Sequence, residues 1–241
     1  MTKLALIRHG QSQWNLENRF TGWVDVDLTQ EGEAQARRSG ELLKAEEIPF
    51  ERAYTSVLTR AIRTCWLALY AMDMVWIPVI NDWRLNERHY GGLTGLDKAQ
   101  TEREHGPEQV RIWRRSYDVA PPPTEKKSPF DLSSDRRYRN VTVPATESLA
   151  TTLQRVLPYW RTEIAPRISA GEDVIVAAHG NSLRAIVKHL FAVADADIVH
   201  VEIPTGNPLL IDLDAALRPR SARYLDAARA QDLPVLSPAS A

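Results

Sequence analysis

The chain has 241 residues, with 30 basic and 31 acidic side chains and a formal net charge of −1. That balance creates no overall field to draw in nucleic acid or an anionic membrane, so a preference for anions has to be built locally. No apolar run approaches the roughly 20 residues of a spanning helix, and no signal-peptide pattern precedes the first strand-like segment, so a soluble, cytoplasmic protein is expected.

The first element is an apolar run, Leu4-Ala5-Leu6-Ile7, which stops at Arg8-His9-Gly10. It reads as a buried strand that ends on a histidine and turns on glycine. Thr29 suits the N-cap of a helix through about Lys44, with Leu42 and Leu43 near its buried end. A short strand around Ala53-Tyr54-Thr55 follows. Thr59 to Met72 reads as a helix, with Ala61, Ile62, Cys65, Leu69 and Met72 at three- and four-residue spacing. Cys65 is the only cysteine; it has no disulfide or thiolate-metal partner and reads as inert core. Trp76 to Ile80 reads as a third strand.

Leu85 to Tyr138 differs in kind, because Gly91-Gly92, Gly95, Pro121-Pro122-Pro123 and Pro129 separate short helical pieces. It reads as an insertion, spanning about 85–138, that covers a crevice. A helix from about Glu147 to Ile168 is expected, with Thr146 as its N-cap and a kink or break at Pro158. The opening pattern then recurs in Val174-Ile175-Val176-Ala177-Ala178-His179-Gly180, followed by a helix from Ser182 to Val193. Leu209 to Leu213 is a last strand, and the Ala-rich tail from about 214 has weak periodicity. Alternating strands and helices predict one α/β domain over residues 1–241, a mostly parallel sheet with helices on both faces.

In such a sheet the carboxyl ends of the strands line the ligand crevice and helix N-termini point N–H groups into it. Two imidazoles at that end point to phosphoryl chemistry. A nucleophilic histidine needs one free ring nitrogen and a fixed tautomer; His9 beside Gly10 suits this, and Arg8 adds a permanent planar charge. Ser12, Asn15, Thr21 and Gly22 supply short donors, although a plain loop favours the same types. Arg60 opens a helix directly after a strand, whereas Arg63, one turn on, fits a solvated helix arginine better. Glu87, among aromatic and arginine residues in Trp83-Arg84-Leu85-Asn86-Glu87-Arg88-His89-Tyr90-Gly91, is a candidate proton carrier. Arg114 and Arg115 are either a helix face in water or a clamp on a second anionic group.

Together these residues resemble the cofactor-dependent phosphoglycerate mutases of the histidine phosphatase superfamily. The similarity runs from Lys3 to about Leu213. It is carried by Arg8-His9-Gly10-Gln11-Ser12-Gln13-Trp14-Asn15, Asn18-Arg19-Phe20-Thr21-Gly22-Trp23, Arg60-Ala61-Ile62-Arg63-Thr64, the Trp83 to Leu93 segment, Ile112-Trp113-Arg114-Arg115-Ser116-Tyr117 and Ala178-His179-Gly180-Asn181-Ser182. The resemblance implies a three-layer sandwich with His9 as a nucleophile phosphorylated by 2,3-bisphosphoglycerate. It further implies that His179, Arg8 and Arg60 stabilise the transferring group and that Glu87 donates and accepts the proton. Ser12, Asn15, Thr21, Gly22, Tyr90, Lys98, Arg114, Arg115, Gly180 and Asn181 match positions that hold the substrate or the phosphate. The implied ligands are small phosphoglycerates, with no metal, no nucleic acid and no membrane, and a homo-oligomer (dimer or tetramer, with a monomer as the alternative) is expected.

A mutase must return the phosphoryl group to the neighbouring oxygen before water takes it, which requires a second anion clamp and a lid; Arg114, Arg115 and the insertion suit both. Gln11 stands where glutamate is also common, and the end of the tail, Leu236 to Ala241, lacks the lysines often seen in the family. The competing readings are a bisphosphoglycerate synthase or phosphatase using the same phosphohistidine and a non-catalytic phosphate-binding module. Ser12 argues against the synthase, which tends to have glycine there, and the presence of His9, Glu87 and His179 argues against the module.

Overall fold

The computed structural model describes residues 1–125 and 128–233. In chain order the elements are β1 (Thr2–Arg8), α1 (Gln13–Leu16), α2 (Gln30–Lys44), β2 (Arg52–Thr55), α3 (Thr59–Ala71), β3 (Val79–Asn81), α4 (Lys98–His105), α5 (Pro107–Arg115), α6 (Leu149–Tyr159), a π-helical turn (Trp160–Ile164), α7 (Ala165–Ser169), β4 (Val174–Ala178), α8 (Gly180–Leu190), β5 (Leu209–Leu213) and β6 (Pro219–Tyr224). The six strands form one sheet in the order β3-β2-β4-β1-β5-β6. β3, β2, β4 and β1 are parallel, whereas β5 runs antiparallel to β1 and β6 antiparallel to β5.

Side chains alternate across a strand, so β1 and β4 divide their apolar residues between two cores. Leu4, Leu6, Val174 and Val176 pack with Val156, Leu183 and Ile186 on one face. Ala5, Ile7, Ile175 and Ala177 pack with Leu43, Cys65 and Leu69 on the other. Helices α6 and α8 cover the first face and α2 and α3 the second, giving the expected three layers. Cys65 is buried and its thiol is pushed up to about 12 by burial, as befits core.

Three expected elements shift, and the break expected at Pro158 is present. The third strand begins at Val79, because Ile77 N–H closes a turn on Met74 and Trp76 is left exposed. Helix α6 is capped by Ser148, whose hydroxyl accepts from Thr151 N–H, while Thr146 Oγ1 donates to Pro121 O instead. Pro158 lies inside α6, and the missing N–H is followed at once by the π-turn that leads into α7. Helix α8 starts at Gly180 and ends by Leu190, ahead of Ala192 at φ 50°. The weakly periodic tail contains β6, a strand at the sheet edge with proline at its first position, where no ladder donor is needed. Leu236 to Ala241 lie outside the described residues.

The turn after β1 is packed against the start of α2. A Cβ on Gly10 would lie 2.1 Å from Gly32 O, and one on Gly32 would lie 2.0 Å from Gln11 O. Backbone occupies both positions, so no rotamer change can relieve a substitution. Gly10→Ala is therefore expected to lower stability by about 1–3 kcal/mol, the range for overpacking, seen as a lower urea midpoint at unchanged slope; an unaltered midpoint would contradict the close approach.

Candidate active site

Parallel pairing of β1 with β4 ends with Arg8 opposite Ala178, and His9 N–H then donates to Ala178 O at 3.0 Å. The ring centroids of His9 and His179 consequently lie 5.0 Å apart, edge to face. Both side chains are buried. His9 Nδ1 sits 2.7 Å from Gly10 O, a carbonyl that can only accept, so Nδ1 carries the proton and Nε2 keeps its lone pair. Burial, then the charges of Arg60 and Arg8, hold the His9 imidazole well below its ordinary value, while the Gly10 bond opposes this. It is therefore neutral near pH 7. His179 is likewise held well below, by burial first and Arg60 next.

One cavity at this end of the sheet is lined by Arg8, His9, Asn15, Thr21, Gly22, Arg60, Glu87, Tyr90, Lys98, Arg114, Arg115, Gly180 and Asn181. Two expected site residues lie off its lining. His179 is fully buried beside His9, and Ser12 is fully buried with its hydroxyl accepting from Asn15 N–H as the N-cap of α1. Ser12 thus sets the position of Asn15, which reaches the cavity.

Arg8 Nη1 donates to Ile203 O at 2.8 Å, and Arg60 donates to Val24 O and Gly22 O at 2.9 and 2.7 Å. Among the described residues neither makes a carboxylate pair, and the Nε of each is buried without a partner. Burial lowers Arg60 to about 10, which still leaves it charged. These are donors arranged for an anion's oxygens. Arg63, by contrast, pairs with Asp27 and Glu33 on the outside.

Glu87 is buried, and its Oε1 accepts from Asn181 N–H at 3.1 Å, Asn181 Nδ2 at 2.9 Å and Arg88 N–H at 2.8 Å. Three donors on one oxygen fix the carboxylate and leave Oε2 for exchange. The chain carrying Glu87 is pinned from behind by Arg155 of α6, which donates to Glu87 O and Arg84 O and pairs with buried Glu147.

The insertion contributes Lys98 from the start of α4 and Arg114 and Arg115 from the end of α5. Lys98 is lowered by burial first. Arg115 pairs with Glu202 at 3.0 Å, and Arg114 Nη1 stands 3.5 Å from Glu102. The basic pair is therefore turned inward, at the cavity, rather than being a face in water.

Four lining residues were not anticipated: Phe20, Arg184, Glu202 and Ile203. Arg184 is buried, and it donates to Asn181 Oδ1 at 2.9 Å and Ile198 O at 2.6 Å. A guanidinium cannot accept, so this bond turns the Asn181 amide nitrogen toward Glu87. Burial first, then Arg88 and Arg115, lowers Arg184 to about 10. Its spacing from Asn181, one helical turn on, was the available sequence signal.

Residues 4–133 match the model of the histidine phosphatase superfamily (branch 1). A 2,3-bisphosphoglycerate-dependent phosphoglycerate mutase of Caulobacter sp. (strain K31) is 69% identical over 98% of this chain and 100% of its own length. One from Hyphomonas neptunium is 66% identical over 98% and 100%. The chain belongs to the 2,3-bisphosphoglycerate-dependent phosphoglycerate mutases of this superfamily. The fold of this mutase family is shared with a solved mycobacterial glucosyl-3-phosphoglycerate phosphatase in complex with VO3, at 21% identity and a TM-score of 0.70 over 93% of this chain and 97% of that one. No helix among the described residues is long and apolar enough to cross a membrane.

The buried imidazoles tie the stability of this family member to pH. His9 and His179 are held neutral in the fold, and so is His89, which burial lowers to about 4. Once unfolded, each takes up a proton below about 6.5, so the stability they contribute is complete above that value and lost as pH falls. At pH 5.5 each should cost on the order of 1 kcal/mol. Urea unfolding at pH 7.5 and 5.5 measures the loss, and His9→Gln should show a smaller one; equal losses would mean that His9 is not buried as a neutral ring.

Proposed function

We propose that this chain interconverts 3-phosphoglycerate and 2-phosphoglycerate through a phosphohistidine at His9, primed by 2,3-bisphosphoglycerate, in glycolysis and gluconeogenesis in the cytoplasm. The observation that carries this reading is the neutral His9 with a bare Nε2, set beside a fixed Glu87 carboxyl group and two arginines that lack acidic partners among the described residues. In priming, Nε2 attacks a phosphoryl group of the bisphosphate donor, the N–P bond forms as the P–O bond breaks, and the departing oxygen takes a proton from the Glu87 carboxyl. In the return step a substrate hydroxyl attacks the phosphohistidine and gives its proton to Glu87, so proton and phosphoryl group balance over the cycle. Arg8, Arg60 and His179 stabilise the negative charge spread over the transferring oxygens. The orphaned Nε groups of Arg8 and Arg60 are suited to bisphosphate oxygens, and these fixed charges take the part a metal plays elsewhere.

Asn15, Thr21, Gly22, Tyr90, Lys98, Arg114, Arg115, Gly180 and Asn181 are proposed to hold the carboxylate and distal phosphate. The single domain would use residues 85–138 as a lid, keeping the bisphosphorylated intermediate in place while it turns. With labelled 2,3-bisphosphoglycerate, the protein should form an acid-labile, base-stable phosphoenzyme on a peptide containing His9, and His9→Ala should abolish both the label and mutase turnover. Both should persist in EDTA. Label on His179 alone, or activity lost to EDTA and restored by manganese, would refute the assignment.

A homo-oligomer is also proposed. Trp66 and Tyr70 on α3 and Trp76 in the turn ahead of β3 are 58%, 67% and 73% exposed. With aromatic side chains covering about 150–250 Å² each, they offer roughly half of the ~800 Å² per partner of a standard interface, and a second copy presenting the same face completes it. Sedimentation at micromolar concentration should give a dimer or a multiple of it, and Trp76→Glu should weaken assembly; a monomeric wild type would eliminate this surface as a self-contact.

A further inference from the structure

The two histidine turns look alike in sequence, yet their ring nitrogens face opposite kinds of neighbour. His9 Nδ1 meets a carbonyl, 2.7 Å from Gly10 O. His179 instead brings Nε2 to 2.7 Å from Ser56 Oγ, with both side chains fully buried. Strand pairing produces this contact: β2 lies beside β4 with Thr55 level with Ala177, so the residue after each strand end falls next to the other. Ser56 Oγ already accepts from Leu58 N–H at 3.1 Å. Among the described residues, its own hydrogen has His179 Nε2 as its one acceptor. A hydroxyl so arranged donates to the ring, and the neutral imidazole then carries its proton on Nδ1. That Nδ1 is buried and has no hydrogen-bond partner among the described residues, while the ring stands 5.0 Å from the His9 ring.

We propose that Ser56 is a positioning residue that keeps the His179 proton on Nδ1, so that this N–H is free to donate to the phosphoryl group passing to and from His9. The inference rests on the reading of His9 as nucleophile and His179 as its transition-state partner. Two neighbouring imidazoles are thereby held in the same Nδ1–H tautomer but turn opposite atoms to the reaction: the Gly10 carbonyl leaves a lone pair on His9 Nε2, and the Ser56 hydroxyl leaves a proton on His179 Nδ1. Without Ser56 the proton can move to Nε2, leaving a lone pair on Nδ1 to face phosphoryl oxygens that it would repel. One atom decides whether this ring attracts or rejects the group in flight.

The test is the tautomer itself, read from ¹⁵N–¹H correlation spectra of the ¹⁵N-histidine-labelled full chain, with the His179 signals assigned by their loss in His179→Gln. Wild type should show the Nδ1–H form of His179 and the Nδ1–H form of His9. Ser56→Ala should move His179 toward Nε2–H and leave His9 unchanged. Mutase kcat should fall about tenfold or more, toward the 10²–10³ loss of a whole positioned donor, with KM for 3-phosphoglycerate little altered. A wild-type His179 in the Nε2–H form overturns the proposal without recourse to any variant, and so does a Ser56→Ala protein whose tautomer is unmoved. His179→Gln separates the two readings: if it forms the phosphoenzyme at the wild-type rate, His179 has no part in transfer, whatever its tautomer.

Discussion

The site exists because two parallel strands pair in register. β1 and β4 are central in the sheet and apolar on both faces, as a strand covered by helices on each side must be. A slip of one residue would exchange Leu4, Leu6, Val174 and Val176 with the residues facing α2 and α3, so burial fixes the register tightly. The backbone bond from His9 to Ala178 continues that ladder past the strand ends. The separation of the two rings is thus set by the packing of the whole core, and a 1 Å error there would have to be accommodated by both apolar layers.

Charge is the second constraint. Arg8, Arg60 and Arg184 enter the cavity held by carbonyl oxygens rather than by acids. Desolvating a cation without a counter-ion costs several kcal/mol, and the fold accepts that cost where a carboxylate would have consumed the positive potential. An anionic ligand relieves it, so ligand binding and stabilisation of the empty protein draw on the same groups. Asn181 shows how finely these groups are arranged. It stands between a side chain that only donates, Arg184, and an oxygen that accepts three bonds, on Glu87, and its amide therefore has one allowed orientation.

Much of this was legible in the chain. The apolar runs before His9 and His179 give strands because period-two burial and a following glycine leave few alternatives, and Thr29 and the 59–72 periodicity mark α2 and α3 closely. The failures have local causes. Thr146 and Ser148 are both good caps, and the choice fell to Ser148 because Thr146 had a tertiary partner in Pro121 O. Trp76 looked like strand but lies exposed in a turn ahead of β3. β6 is an edge strand of Pro219-Arg220-Ser221-Ala222-Arg223-Tyr224, too polar to announce itself. Arg184 offered only its one-turn spacing from Asn181 as a signal, and Ser56 offered none, since nothing in a single sequence says which strand neighbour will bring it against His179.

The insertion packs on its own small apolar cluster of Phe20, Leu93 and Val110, with Tyr90 and Trp113 against it, apart from the two layers that clamp the sheet. Lys98, Arg114 and Arg115 ride on this separate seat, whereas His9, His179 and Arg60 are fixed by the sheet. On the function proposed above, the molecule is in effect a motor with an exchangeable chuck: the residues that would grip the substrate and the two rings that would pass the phosphoryl group rest on different apolar clusters. Selection can therefore explore new substrates one packing unit at a time, with the cost of each trial confined to a cluster too small to unfold the domain.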